Sequence, residues 1–200
     1  MLVIGLTGQS GAGKGTVAEL FARHGLFVID ADRVYHDLLT PPSPCLDDIV
    51  ARFGGRMLTE QGTLNRRALG DLVFSDADAL ADLNRISHHH VMKEIRRQLE
   101  QLRRQNVRAA VLDAPQLFEA EANRDCSLIV SVLADRDLRL ERIMRRDGID
   151  AARAESRMAS QKSDAFFRAH SDYVIENNAS PDLLLPAVER ILTDVGVLDK

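Results

Sequence analysis

Residues 8–16 read GQSGAGKGT. Gly8, Gly13 and Lys14 fit the G-x-x-x-x-G-K part of a phosphate-binding loop. Glycines let the backbone curl until successive N–H groups face one anion. A helix opening directly after them adds the positive end of its dipole. A lysine at the loop's end neutralises the outer phosphates of a nucleotide. The flanks supply what the pattern needs: residues 2–6 form an apolar run leading in, and Val17, Leu20 and Phe21 form one helical stripe leading out. Gly25 is the natural stop of that helix. The pattern departs at Gly15, where a hydroxyl usually holds magnesium. With Thr16 one residue late, its backbone N–H is still expected to face the anion. Magnesium then leans on phosphate oxygens, water and carboxylates, which suits an ion that keeps several waters.

Bulk properties narrow the classes. A length of 200 residues fits one domain with a subdomain or lid. With 45% hydrophobic and 28% charged residues, the composition is that of a globular protein with ample core. A net charge of -4 gives no footprint for nucleic acid or a membrane surface. Cys45 and Cys126 lie far apart, so reduced thiols are expected rather than a disulfide framework. MLVIGLTG has no basic start and only a short apolar run, unlike a signal peptide. No stretch is long and apolar enough to span a bilayer, and a cytoplasmic location is expected.

Short apolar runs at 2–6, 26–30, 109–113, 128–133 and 173–175 lack strict alternation. Strands buried on both faces of a parallel sheet read this way. Helical patterns alternate with them, which predicts helices flanking the sheet. The stretch after Leu83, with Ile86, Val91, Ile95, Leu99 and Leu102 at helical spacing, predicts one long helix. Residues 33–108 are too many for a single crossover and predict a helical insertion. Within it, TPPSPC at 40–45 and FGGRM at 53–57 mark breaks. Ser180 and Pro181 suggest an N-cap and first turn of the last helix, which Pro186 delays or kinks.

Carboxylates end two of the apolar runs. Asp30 and Asp32 share a face if the chain stays extended, at the sheet edge where ligands bind. One of them is a candidate to take the proton of an attacking hydroxyl, the other to meet magnesium through water. The alternative is a pair of turn or N-cap aspartates. Asp113 in AAVLDAP is a strand-end carboxylate of magnesium-holding type or an N-cap before Pro115. Thr16, Asp32 and Asp113 are thus the candidate metal oxygens. Arg142 and Arg146 lie four apart on one helical face, as do Arg153 and Arg157 beyond Gly148. They predict an arginine-bearing lid, or else a salt-bridged solvated helix pair with Glu141, Asp147 and Glu155. His88, His89 and His90 are consecutive, so one helix cannot aim all three at one metal.

The segments IGLTGQSGAGKGTVA, VIDADRVYHDLL, FGGRMLTEQGTLNRRALGDLVF, LNRISHHHV, LDAPQLFE, RIMRRDGI and ESRMASQ, in this order, resemble the dephospho-CoA kinase family over nearly the whole chain. The resemblance implies an α/β P-loop kinase fold: a five-stranded parallel sheet flanked by helices, with a helical substrate-binding insertion and a lid. It implies a core at 1–32, 109–135 and 171–200, a substrate subdomain at about 33–108 and a lid at about 136–170. The implied reaction moves the γ-phosphate of ATP, with Mg2+, to the ribose 3′-hydroxyl of dephospho-CoA. By position, Gly11, Ala12, Gly13, Lys14, Gly15 and Thr16 meet the ATP phosphates. Asp32 resembles the family's base, and Arg142 a lid arginine. Asn177 and Asn178 fall in the adenine loop; His88, Leu117, Phe118 and Glu119 fall in the acceptor region. Departures are GAGKG for the usual GSGKS, His89 for a proline and Gln116 for a leucine.

The spelling GAGKGT is shared with adenylate-kinase-like enzymes, so a nucleoside monophosphate kinase is the second expectation. A nucleotide-dependent regulatory module is the third, and the missing N-K-x-D pattern argues against a GTPase switch. Neither nucleic acid nor a membrane is expected as a partner, and the chain is expected to act as a monomer or small homo-oligomer.

Overall fold

The computed structural model describes residues 1–179 and 183–198. The chain divides into two compact units, one of residues 1–29 and 102–200, the other of residues 30–101.

The first unit is built on a five-stranded parallel sheet: β1 (Leu2–Gly8), β2 (Phe27–Asp30, whose last residue belongs to the other unit), β3 (Ala109–Asp113), β4 (Leu128–Leu133) and β5 (Tyr173–Glu176). The order is β2-β3-β1-β4-β5, so β1 lies at the centre. Leu6 pairs with Asp113, Gly8 with Val132 and Leu133 with Glu176, which brings the carboxyl ends of four strands to one edge. Every residue of β3 is buried, and β1 is buried from Val3 onward. That double-sided burial is why these strands read as unbroken apolar runs.

Around the sheet run α1 (Lys14–Arg23), α6 (Arg136–Asp147), α7 (Ala151–Ala159), α8 (Asp164–Ala169) and α9 (Leu184–Asp194). Val17 and Phe21 of α1 join Val188, Ile191 and Leu192 of α9 in a core with Ile4, Leu6, Val111 and Val130. Ser180 and Pro181 lie outside the described residues. Pro186 is the third residue of α9. The described helix begins at Leu184, later than Pro181, and Pro186 does not break it, because the first-turn N–H groups have no intrahelical acceptor to lose.

The second unit holds α2 (Ala31–Leu38), α3 (Pro44–Phe53), α4 (Arg66–Ser75) and most of α5 (Ala77–Arg104). Ser43 caps α3 by accepting from Leu46 N–H at 3.2 Å, with Pro44 at N1. Gly54, at φ 90°, ends α3 and starts the Gly55–Met57 3-10 turn, which is the break read in FGGRM. Leu39, Ile49, Phe53, Met57, Leu69 and Val73 form this unit's own core, with Leu83 and Ile86 against it. The long helix starts six residues before Leu83, because Asp76 accepts from Asp78 and Ala79 N–H and caps its first turn.

Candidate active site

The loop between β1 and α1 needs its glycines at three points. Gly8, Gly11 and Gly13 have φ of 148°, 78° and 96°. A Cβ at Gly8 would lie 2.3 Å from the Val132 carbonyl, one at Gly11 2.7 Å from the Arg139 carbonyl, and one at Gly13 2.1 Å from Asn177 Nδ2. Gly15 differs: no atom lies within 4 Å of its built Cβ.

The loop's N–H groups divide into two sets. Ser10 N–H donates to Gln161 Oε1, Ala12 N–H to the Gln9 carbonyl and Thr16 N–H to the Gly13 carbonyl. The N–H of Thr16 therefore closes the first turn of α1, contrary to the expectation that it faces an anion. Among the described residues, the N–H groups of Gly11, Gly13, Lys14 and Gly15 find no acceptor. Four unpaired donors at a helix N-terminus form an anion cradle.

Lys14 forms an ion pair with Asp113 at the end of β3. Asp113 is buried. It is the last residue of β3, a strand-end carboxylate.

Three arginines of α6 brace the loop from behind. Arg139, buried, donates from Nε to the Ser10 carbonyl at 3.0 Å and from Nη2 to Gln161 Oε1 at 3.0 Å. Burial pulls its pKa below the usual guanidinium value, opposed by Asp164. Arg142 donates to the carbonyls of Gly11 (3.3 Å) and Asn177 (3.2 Å). Arg146 donates to Ser10 Oγ at 3.3 Å and pairs with Asp147, which raises its pKa and lowers that of the carboxyl. Arg157 of α7 also pairs with Asp147, whereas Arg153 is exposed beside the N-cap Asp150. The segment thus makes loop contacts from α6 and surface ion pairs from α7.

Asn177 is buried and donates from Nδ2 to the Ala12 carbonyl at 2.7 Å. Asn178 and Asp135 bond reciprocally, N–H to Oδ1 at 2.7 Å and Nδ2 to Oδ1 at 2.8 Å. Leu117 has no exposed surface; its side chain packs towards Gly5. Its side chain therefore has no route to an acceptor. Phe118 is partly exposed, edge-on to Phe166 at 5.1 Å and to His170 at 5.9 Å. Phe166 stacks on His170 at 4.1 Å, and Lys162 lies over the Phe166 ring at 4.4 Å and 3.7 Å from Glu119.

In the helical unit, Asp30 and Asp32 are both exposed but do not share an extended face. The strand ends at Asp30, whose carboxylate caps α2 by accepting from Arg33 N–H at 3.0 Å. Asp32 is the second residue of that helix. Aspartate is among the best N-caps, and this local bond turns the chain helical at once. On α5, His88 is half-buried, His89 exposed, and His90 pairs with Asp48 at 2.7 Å. The His89 and His90 rings meet edge-on at 5.3 Å.

Among the described residues, no three His, Cys, Asp or Glu side chains cluster as a metal cage. Magnesium fits this donor set because it takes oxygen ligands, few from protein and the rest from phosphate and water. Asp113, buried at the end of β3, is the carboxylate that the sheet places beside the loop lysine.

Sequence reading missed Arg139, Gln161, Gln9 and Asp164. Gln9 donates to Asp164 Oδ1 at 2.7 Å and to the Lys162 carbonyl at 3.2 Å. The one available signal was that Arg139 precedes Arg142 by three residues, on the same helical face.

The dephospho-CoA kinase family model matches residues 2–182. The chain is 43% identical to the dephospho-CoA kinase of Syntrophotalea carbinolica over 180 residues, 90% of this chain and 85% of that one. A crystal structure from Thermus thermophilus superposes with a TM-score of 0.81 at 28% identity, covering 97% of each chain. Dephospho-CoA kinase from Campylobacter jejuni superposes at 0.73 over 98% of each chain; at 24% identity it speaks for the fold.

Proposed function

The chain belongs to the dephospho-CoA kinase family, and on that premise we propose that it transfers the γ-phosphate of ATP to the ribose 3′-hydroxyl of dephospho-CoA, giving coenzyme A and ADP. The observation that carries the ATP site is the cradle of four unpaired N–H groups at Gly11, Gly13, Lys14 and Gly15, around the loop lysine.

In this reaction the 3′-oxygen attacks the γ-phosphorus. The bond from that phosphorus to the β,γ-bridging oxygen breaks, and ADP leaves with the bond's electrons. Asp32 accepts or aligns the hydroxyl proton. A loose transition state with charge spread over phosphoryl oxygens needs positioning and cations more than a strong base. Lys14 exchanges Asp113 for the β/γ-phosphates, and Arg142 meets the developing negative charge from α6. Mg2+, when bound, would neutralise phosphate charge; Asp113 and the Thr16 hydroxyl, and Asp32 of the helical unit, are the protein oxygens that would hold it, directly or through water.

Adenine lies against the Asn177–Asn178 turn. Since both side chains and the Asn177 backbone are engaged with protein, the Asn178 backbone carries the contact. His88, Phe118 and Glu119 meet the acceptor, while Leu117 anchors its segment from within the core. Residues 30–101 act as the acceptor unit, and α6, α7 and α8 as the lid over the phosphates. No helix among the described residues is long and apolar enough to cross a membrane. A cytoplasmic location accompanies the proposed reaction.

The test offers ATP and magnesium with dephospho-CoA, with AMP, or with no acceptor. ADP formed only with dephospho-CoA is the expected result. Turnover with AMP instead would identify a nucleoside monophosphate kinase, and ATP binding without turnover a regulatory module.

A further inference from the structure

We propose that Gln161 is a positioning residue that presets the phosphate loop for ATP. Its Oε1 accepts two bonds, from Ser10 N–H at 3.1 Å and from Arg139 Nη2 at 3.0 Å. Both partners are obligate donors, so the oxygen is the atom that must face them. Arg139 Nε in turn donates to the Ser10 carbonyl. One residue of the loop therefore has its N–H and its C=O both held by this pair.

The neighbouring contacts extend the same grip. Gln9 donates from Nε2 to the Lys162 carbonyl and to Asp164 Oδ1. Gly11 packs so tightly on Arg139 that no Cβ fits. Residues 161–164, from the turn after α7 to the first residue of α8, thus engage the entrance half of the loop. The N–H groups of Gly11, Gly13, Lys14 and Gly15 stay out of this network. A glycine-rich loop loses much conformational freedom when it closes on an anion. Fixing Gln9 and Ser10 beforehand lowers the ordering required when phosphate binds. The burial of Arg139, which disfavours its charge, makes the Gln161 acceptor more important to that side chain.

This role rests on residues 8–16 being the ATP site. Gln161→Met keeps the side-chain length and removes the acceptor. Gln161→Glu keeps an oxygen for both donors. Full-length proteins are compared by binding of a non-hydrolysable ATP analogue, by steady-state kinetics, and by amide hydrogen exchange without nucleotide. For Gln161→Met, analogue Kd and KM for ATP should rise about tenfold, as for one lost charge-assisted hydrogen bond. KM for dephospho-CoA should hold. Exchange should quicken in the peptide covering residues 8–13 while β1 and β4 keep their protection. Gln161→Glu should retain the slow exchange. Unchanged Kd and unchanged exchange in Gln161→Met would overturn the proposal alone. A general loss of protection with equal rises in both KM values would also overturn it, assigning Gln161 to stability only. Wild-type protein that does not bind the analogue would overturn the ATP site and this role with it.

Discussion

Asp113, the last residue of β3, holds the ammonium of Lys14, the first residue of α1, in an ion pair whose side chains are 9% and 17% exposed. The pair sets where the loop lysine rests before nucleotide arrives, and a polyphosphate must compete for it. Asp113→Asn leaves the ammonium with a neutral acceptor. Nucleotide-free protein should lose about 1–3 kcal/mol in urea unfolding. Affinity for ATP without magnesium should rise, because Lys14 is no longer held, while kcat falls. Unchanged unfolding and unchanged magnesium-free affinity together would show that the pair has no bearing on the loop.

Gly13 and Gly15 flank the same lysine but answer to different constraints. Gly13 sits at φ 96° with Asn177 Nδ2 where a Cβ would go; Gly15 faces open space. Gly13→Ala should therefore displace Asn177 and abolish measurable ATP binding. Gly15→Ser should fold normally and gain up to about 0.5 kcal/mol, since glycine is a poor helix residue. It should also lower the magnesium concentration for half-maximal rate by returning a hydroxyl to the usual position. Thermal unfolding and a magnesium titration check both halves. Poor folding of Gly15→Ser would contradict the open space around that residue.

Asp30 and Asp32 separate by their bonds. Asp30 caps α2, and asparagine caps as well as aspartate, so Asp30→Asn should be nearly silent. Asp30→Ala should lose about 1 kcal/mol of stability. Asp32→Asn should leave ATP affinity intact and lower kcat by about 10²–10⁴ if the carboxylate takes the proton in the transition state. A drop below tenfold would assign Asp32 to aligning the hydroxyl. Near-normal turnover would remove it from the reaction altogether.

These two aspartates also mark where sequence ceases to determine structure. Their spacing puts them on one face only while the backbone stays extended, and the side chain of Asp30 itself ends the strand by capping α2. The inner strands β1 and β3 were legible because burial on both faces demands apolar residues, whatever the partner strand is. The loop was legible because Gly8, Gly11 and Gly13 are forced by positive φ and close contacts, which few other residues could satisfy. Its rear brace was not. Gln161 meets Ser10 across 151 positions and Arg139 meets it across 129, and a lone glutamine carries no periodic signal. Leu117 shows the reverse problem: its place in the acceptor segment suggested contact, but the turn after β3 puts its side chain in the core against Gly5.

The two thiols should be inert in the native protein. Burial pushes the Cys126 thiol up to about 12 and the Cys45 thiol up to about 11, with Asp125 and Asp48 adding to the respective shifts. Cys126 packs against Gly5 of β1 and donates to the Ala122 carbonyl at 3.4 Å. Reactivity belongs to the thiolate, so iodoacetamide at about pH 8 should label neither residue until the chain is unfolded, where a thiol ionises near about 8.5. The sign for stability follows from the raised native value. The contribution is complete below the unfolded pKa and is lost as pH climbs from there towards the native one. Cys126→Ser removes that titration while keeping a donor for Ala122. Its urea midpoint should fall less steeply with alkaline pH than that of the unsubstituted protein. Parallel pH profiles, or rapid labelling of the native protein, would show that Cys126 ionises as an exposed thiol does.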